Sequence, residues 1–352
     1  MNRWWILPLA LTAMHGDTTV LKASHPTPED TRREFEAVCE RLTGDNVYYG
    51  DAIVNYLVAQ QANPPTDRYR AAEAHGHLGW ELSRLGRHLE AIEELEKALA
   101  MLDPTTGERE LELHRRVSTS LAVAHLQLGE DQNCVEGHTP RSCIVPFQPE
   151  AIHTRPEHTR KAGDQLLRHL AVHPGDLQAR WLLNIARMVS GDYPEGVPPP
   201  LRLPPGSLID DTGFPSWSDV AGGLGVNTFD LSGGIAIEDF DGDGLLDLVT
   251  SSSDPCVPCK AFRNDGTGGF EDVSAAWGLD AQLGALNLVH ADFDNDGAPD
   301  ILVLRGAWLG EDGRIRNSLM RHDVRGPTGR FVDVTAAAGL AYPSYPSQAA
   351  GW

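Results

Sequence analysis

Basic residues are scarce in this 352-residue chain: 29 Lys and Arg stand against 50 Asp and Glu, a formal net charge of −21. That balance repels polyanions and argues against nucleic acid and anionic membrane surfaces as partners. Long apolar runs are lacking too: residues 4–14 are too short to cross a bilayer, and no other stretch is long enough. Familiar catalytic patterns are missing. No Ser, His and Asp arrangement can be placed, and no Gly-rich loop leads into a helix to cradle a phosphate; GTGG at 266–269 precedes a strand and reads as a turn. Cysteine is limited to Cys39, Cys134, Cys143, Cys256 and Cys259, and Lys260 follows the CVPC pair where haem attachment wants His.

What the chain does have is a nine-residue acidic loop written twice, DFDGDGLLD at 239–247 and DFDNDGAPD at 292–300. Each places Asp at positions 1, 3, 5 and 9 and Gly at 6. So many carboxylates on one tight turn repel unless a cation joins them. Oxygen-only donors select a hard ion, and Ca²⁺ best tolerates irregular coordination. The expected first site is Asp239, Asp241, Asp243, the Leu245 carbonyl and Asp247; the second is Asp292, Asp294, Asp296, the Ala298 carbonyl and Asp300. An EF-hand is a poor fit, because position 12 holds Thr250 or Val303 where it needs a bidentate Glu. A solvated Asp/Gly turn would explain one copy but not the same spacing twice.

Short runs rich in Ile, Val and Leu flank both loops, so each reads as strand, acidic turn, strand. Around them a phrase recurs: WSDVAGGLG from Trp217, GFEDVSAAWGL from Gly269 and RFVDVTAAAGL from Arg330. Trp217 to Phe270 and Asp239 to Asp292 are both 53 residues, and Phe270 to Phe331 is 61. A period of that size with several strands per unit suggests propeller blades.

On these motifs residues 210–352 resemble the FG-GAP/VCBS repeats of integrin-type β-propellers. Joined to an N-terminal helical-repeat region, they are similar to bacterial relatives of cartilage acidic protein, which often end in an ASPIC/UnbV domain. The resemblance implies calcium in blade-hairpin loops, a secreted, periplasmic or surface location, and mainly a binding role. Aligning SQAAGW at 347–352 with LNLVHAD and GGIAIED places the next acidic loop just past Trp352. About two blades are therefore expected against the roughly four to eight of a closed propeller, a truncated one with an open last edge.

Upstream, residues 1–16 read as a signal peptide, or else as a buried N-terminal segment. Residues 29–62 suggest two helices broken near 43–46. Residues 74–104 carry Leu78, Gly79, Leu82, Ala91, Leu95 and Ala98 at the spacings of a tetratricopeptide helix pair, with Pro104 as the stop. A second pair starts near Leu113 and is interrupted by an insertion at 131–158, and a partial third runs through Trp181 to Gly191. The expected fold is multidomain, α then β: a helical solenoid at 29–191, an extended Pro-rich linker at 192–207, and an incomplete calcium-binding propeller at 208–352.

The insertion holds Cys134, His138 and Cys143 among Pro, Gly and Asn. Two readings stand: a Cys134–Cys143 disulfide in an oxidising compartment, or a Zn or Cu site with His153 or His158 as a fourth ligand. The Cys256 and Cys259 pair allows a tight disulfide, half a metal site or a redox pair. Cys39, on a helix with Phe35, Val38 and Leu42, reads as a core thiol and the one left unpaired. Functionally the sequence favours a secreted calcium-binding module for a protein, peptide or glycan ligand; the alternative is a metalloenzyme built on Cys134, His138 and Cys143.

Overall fold

The computed structural model describes residues 25–352 other than 47, 136, 138–144, 146, 205, 209–212, 214–217, 229 and 324–328. The N-terminal run, His138, Cys143 and Trp217 lie outside the described residues. The chain forms two compact units, one of residues up to Arg41 together with Thr228–Trp352, the other Leu42–Asn227. The division falls inside the first helix, α1 (Pro28–Asp45).

In the helical unit α2 (Ala52–Gln60), α3 (Arg68–Arg84), α4 (His88–Ala100), α5 (Glu108–Glu130), α6 (Glu157–Val172) and α7 (Leu177–Val189) each pack on the next in chain order. Caps set two of the starts: the Asp67 carboxylate accepts the Arg70 N–H at 2.9 Å, and Asp176 accepts that of Ala179 at 2.9 Å. The turn between α3 and α4 is so short that the two helices run antiparallel. Their closeness depends on glycine, since a Cβ at Gly79 would stand 2.6 Å from Leu95 Cγ. Leu78, Leu82, Leu95, Leu113, Val117 and Leu121 fill one core, and Ala162, Leu166, Leu170 and Leu183 a second. A short helical turn, α8 (Ala221–Leu224), precedes the first sheet in sequence.

The Pro-rich run differs from the extended linker expected of it. It carries a 3-10 turn at Pro199–Leu201, buries Val197 and packs Tyr193 and Leu201 against the second helical core. Proline-rich backbone has few donors of its own, and α7 satisfies its carbonyls instead. The Arg180 guanidinium donates to Leu201 O at 3.0 Å and Arg202 O at 2.5 Å, while the Asn184 amide donates to Leu201 O at 3.0 Å and accepts the Leu203 N–H at 3.1 Å.

The other unit holds two open antiparallel sheets. The first has the order β1 (Ile235–Glu238), β2 (Asp247–Thr250), β3 (Lys260–Asn264), β4 (Phe270–Asp272). The second repeats it as β5 (Asn287–Ala291), β6 (Asp300–Leu304), β7 (Ser318–Asp323), β8 (Arg330–Asp333). Between them lies α9 (Ser274–Trp277). In each sheet an acidic loop joins the first two strands, with Glu238 opposite Asp247 and Ala291 opposite Asp300. One core runs through both sheets: Ala236, Val249 and Ala261 from the first, Ile301, Val303 and Met320 from the second, with Phe240, Trp277 and Phe331 among them.

The part of α1 within this unit is held by polar and covalent contacts. The Phe35 ring lies 3.8 Å from the Arg305 guanidinium and 4.9 Å from that of Arg316. Arg305 is 1% exposed and donates to Leu283 O, Ser318 Oγ and Gln282 Oε1. Arg316 pairs with Glu34 at 2.8 Å, Arg32 with Asp280 at 2.6 Å and Arg41 with Asp312 at 3.1 Å.

The thiol assignments are corrected here. Cys39 is bonded to Cys256, with Cα atoms 4.9 Å apart, and Cys256 does not pair with Cys259. Cys259 enters the first sheet with its N–H on Gln282 O at 2.9 Å and its side chain buried in the core, where burial pushes the thiol up to about 11. A sequence separation of 217 residues makes the Cys39–Cys256 crosslink worth about 5 kcal/mol on the chain-entropy account.

Candidate metal centre in two acidic loops

The two loops share a backbone frame. Position 6 is left-handed in both, with φ of 87° at Gly244 and 94° at Gly297. Position 4 is left-handed as well, Gly242 at 77° and Asn295 at 58°. Gly and Asn are the residues that tolerate this conformation, a signal present in the sequence that the Asp spacing overshadowed.

That frame turns backbone donors onto the first aspartate of each loop. Asp239 Oδ1 accepts from Gly242 N at 2.8 Å and Asp243 N at 3.0 Å, and Oδ2 from Gly244 N at 2.9 Å. Asp292 accepts from Asp296 N at 3.0 Å and Gly297 N at 2.9 Å. The ninth residue is sealed: Asp247 and Asp300 are both 0% exposed. Asp247 accepts from Phe240 N at 3.1 Å and Asn264 N at 2.8 Å, Asp300 from Phe293 N at 3.0 Å and His322 N at 2.7 Å. Burial, then the two nearby aspartates of its own loop, raises the pKa of each of these sealed carboxyls above the usual range, the backbone donors only partly offsetting it.

Carboxylate oxygens of positions 1, 3 and 9 come within 4.8 Å of one another in both loops: Asp239, Asp241 and Asp247, then Asp292, Asp294 and Asp300. The fifth-position carboxylates are not in these groups. Asp243 Oδ1 instead takes the Leu245 N–H at 2.8 Å, and Asp296 Oδ1 that of Ala298 at 3.1 Å. Among the described residues no Lys, Arg or His forms an ion pair with any of the eight aspartates.

The insertion is described only in part. Its start, Asp131–Val135, winds as one π-helical turn, and Cys134 Sγ lies 3.6 Å from His153 Nε2. His153 Nδ1 meets Thr159 Oγ1 at 2.7 Å, whereas His158 is drawn to His125, Nδ1 to Nδ1 at 3.1 Å. Of the two histidines considered as a fourth ligand, the structure brings His153 to Cys134.

One arrangement went unseen in the sequence. His169 Nδ1 lies 2.6 Å from Ser118 Oγ and its Nε2 3.2 Å from Asp176 Oδ2. Ser118 and His169 are both fully buried, so this group holds α5, α6 and the start of α7 together and offers no substrate a path.

Residues 239–303 match the FG-GAP-like repeat family, a span that takes in both acidic loops. No curated protein matches the chain. The match points to an adhesion or interaction module. Among the described residues no helix is long and apolar enough to cross a membrane.

Proposed function

We propose that the chain is a calcium-stabilised, secreted or surface binding protein whose two acidic loops each hold one Ca²⁺. The observation that carries this is the gathering of three carboxylates within 4.8 Å, twice, with no ion pair to any of them among the described residues. The ligands would be Asp239, Asp241, Asp243, the Leu245 carbonyl and Asp247 in the first loop, and Asp292, Asp294, Asp296, the Ala298 carbonyl and Asp300 in the second. Calcium would neutralise each cluster and fix the hairpins that carry the sheets. Each sheet would be one blade of a β-propeller, and the helices tetratricopeptide-like repeats, as in bacterial relatives of cartilage acidic protein.

The helical unit would offer a surface to a peptide or protein partner. A groove of about 610 Å³ between α3 and α5 is lined by Trp80, His77, Leu113, Arg116 and Ser120, with Trp80 itself 53% exposed. The 3.6 Å approach of Cys134 to His153 keeps a second reading open, a Zn or Cu centre at the insertion. Thermal melting in excess Ca²⁺ and in excess EGTA tests the main reading: a higher Tm in calcium supports it, and identical curves reject it.

A further inference from the structure

A separate group of imidazoles lies in the helical unit. His114 on α5 and His173 just past the end of α6 bring Nδ1 and Nε2 to 3.0 Å, with ring centroids 5.2 Å apart and ring planes tilted by 36°. The two nitrogens are within hydrogen-bond reach, and the same separation falls in the range of about 3.0–3.4 Å at which two imidazole nitrogens share one ion at Zn–N distances.

The pair is also held in place from behind. The His169 ring lies 4.7 Å from His173, and His169 is itself pinned by Ser118 at 2.6 Å and Asp176 at 3.2 Å. Burial lowers the pKa of both His114 and His173, which favours the neutral rings. The charges facing the pair are Glu112, Asp176 and Arg115, and Arg115 is already engaged, 2.8 Å from Glu112 and 3.7 Å from Asp176. Arg116 also acts on Glu112, so the neighbouring carboxylates and guanidiniums balance.

The His125 and His158 pair has a similar nitrogen separation, 3.1 Å, but faces Lys161 and Arg168 against the single carboxylate of Glu157, and His125 is almost wholly buried. A cation is disfavoured there. At His114 and His173 both rings are partly exposed, so water can complete the coordination sphere.

We propose that His114 and His173 form a two-histidine site for a borderline divalent transition metal ion, Zn²⁺ or Cu²⁺, which clips α5 to the turn between α6 and α7. It does not rest on the calcium reading.

Equilibrium dialysis of the full chain against Zn²⁺, with Ca²⁺ in excess to occupy the acidic loops, tests it. The expected result is one bound zinc, lost in His114→Ala and in His173→Gln, and kept in Cys134→Ser and His158→Ala. Melting without zinc confirms that the variants are folded, and zinc should raise the Tm of the parent chain but not of His173→Gln. No bound zinc, zinc retained by a folded His173→Gln, or zinc lost in Cys134→Ser would overturn the assignment, the last by placing the metal at the insertion.

Discussion

The two acidic loops have nearly the same chain and different neighbours. Both turn left-handed at positions 4 and 6, and both bury the ninth aspartate under two backbone N–H donors. Their second residues diverge. Phe240 is 1% exposed, edge-on to Trp277 at 6.2 Å and Phe331 at 5.8 Å, and inside the core that both sheets share. Phe293 is only half-buried, stacked on Trp352 at 6.3 Å. The arrangement of oxygens is therefore written locally, by aspartates and left-handed turns, while the firmness of each loop is set by what packs against its phenylalanine.

The widest gap between the loops should come from truncating that residue. Phe240→Ala removes a fully buried ring and should cost about 3–5 kcal/mol in denaturant unfolding, whereas Phe293→Ala should cost less than half as much. Equal losses would mean that the neighbours do not distinguish the loops.

Calcium linkage should separate them less. With calcium at a hundredfold excess over Kd, each filled site adds about 2.7 kcal/mol. Asp241→Ala and Asp294→Ala should each remove one such increment and leave the other, as measured by melting in calcium against EGTA.

A finer contrast lies at position 4. Asn295→Gly should be close to neutral and Gly242→Ala should cost about 1–2 kcal/mol, because only the second forces a Cβ into the left-handed region. Urea unfolding of the pair would show it, and equal effects would place the strain elsewhere.

A last contrast sets the helical unit against these loops through pH. Burial, then the charges of His158, Lys161 and Arg168, lowers the His125 pKa to about 4 from 6.5. A folded pKa below the unfolded one means that the unfolded chain binds the proton first. Stability from this group is complete above about 6.5 and falls as pH drops toward 4. His125→Gln should flatten the loss of helical signal over that window in circular dichroism, and an unchanged slope would assign it to other groups.

Much of this could be read from the residues because it is local. Asp spacing and flanking Val and Ile specify strand, loop and strand, and Leu82, Ala91 and Leu95 at helical spacing specify the α3 and α4 pair. What escaped is non-local. Cys39 and Cys256 are 217 residues apart, and nothing near CVPC announces a partner on α1. Phe35 reads as one more apolar helix residue, and only the fold shows it between two arginines. The Pro-rich run looked extended because its hydrogen-bond donors, Arg180 and Asn184, come from a helix it had not yet met.

Calorimetric titration of calcium into the EGTA-stripped full chain tests the central claim most directly. Two ions bound per chain, falling to one in Asp241→Ala and one in Asp294→Ala, is the predicted result; no calcium bound, or an unchanged count in both variants, would contradict it.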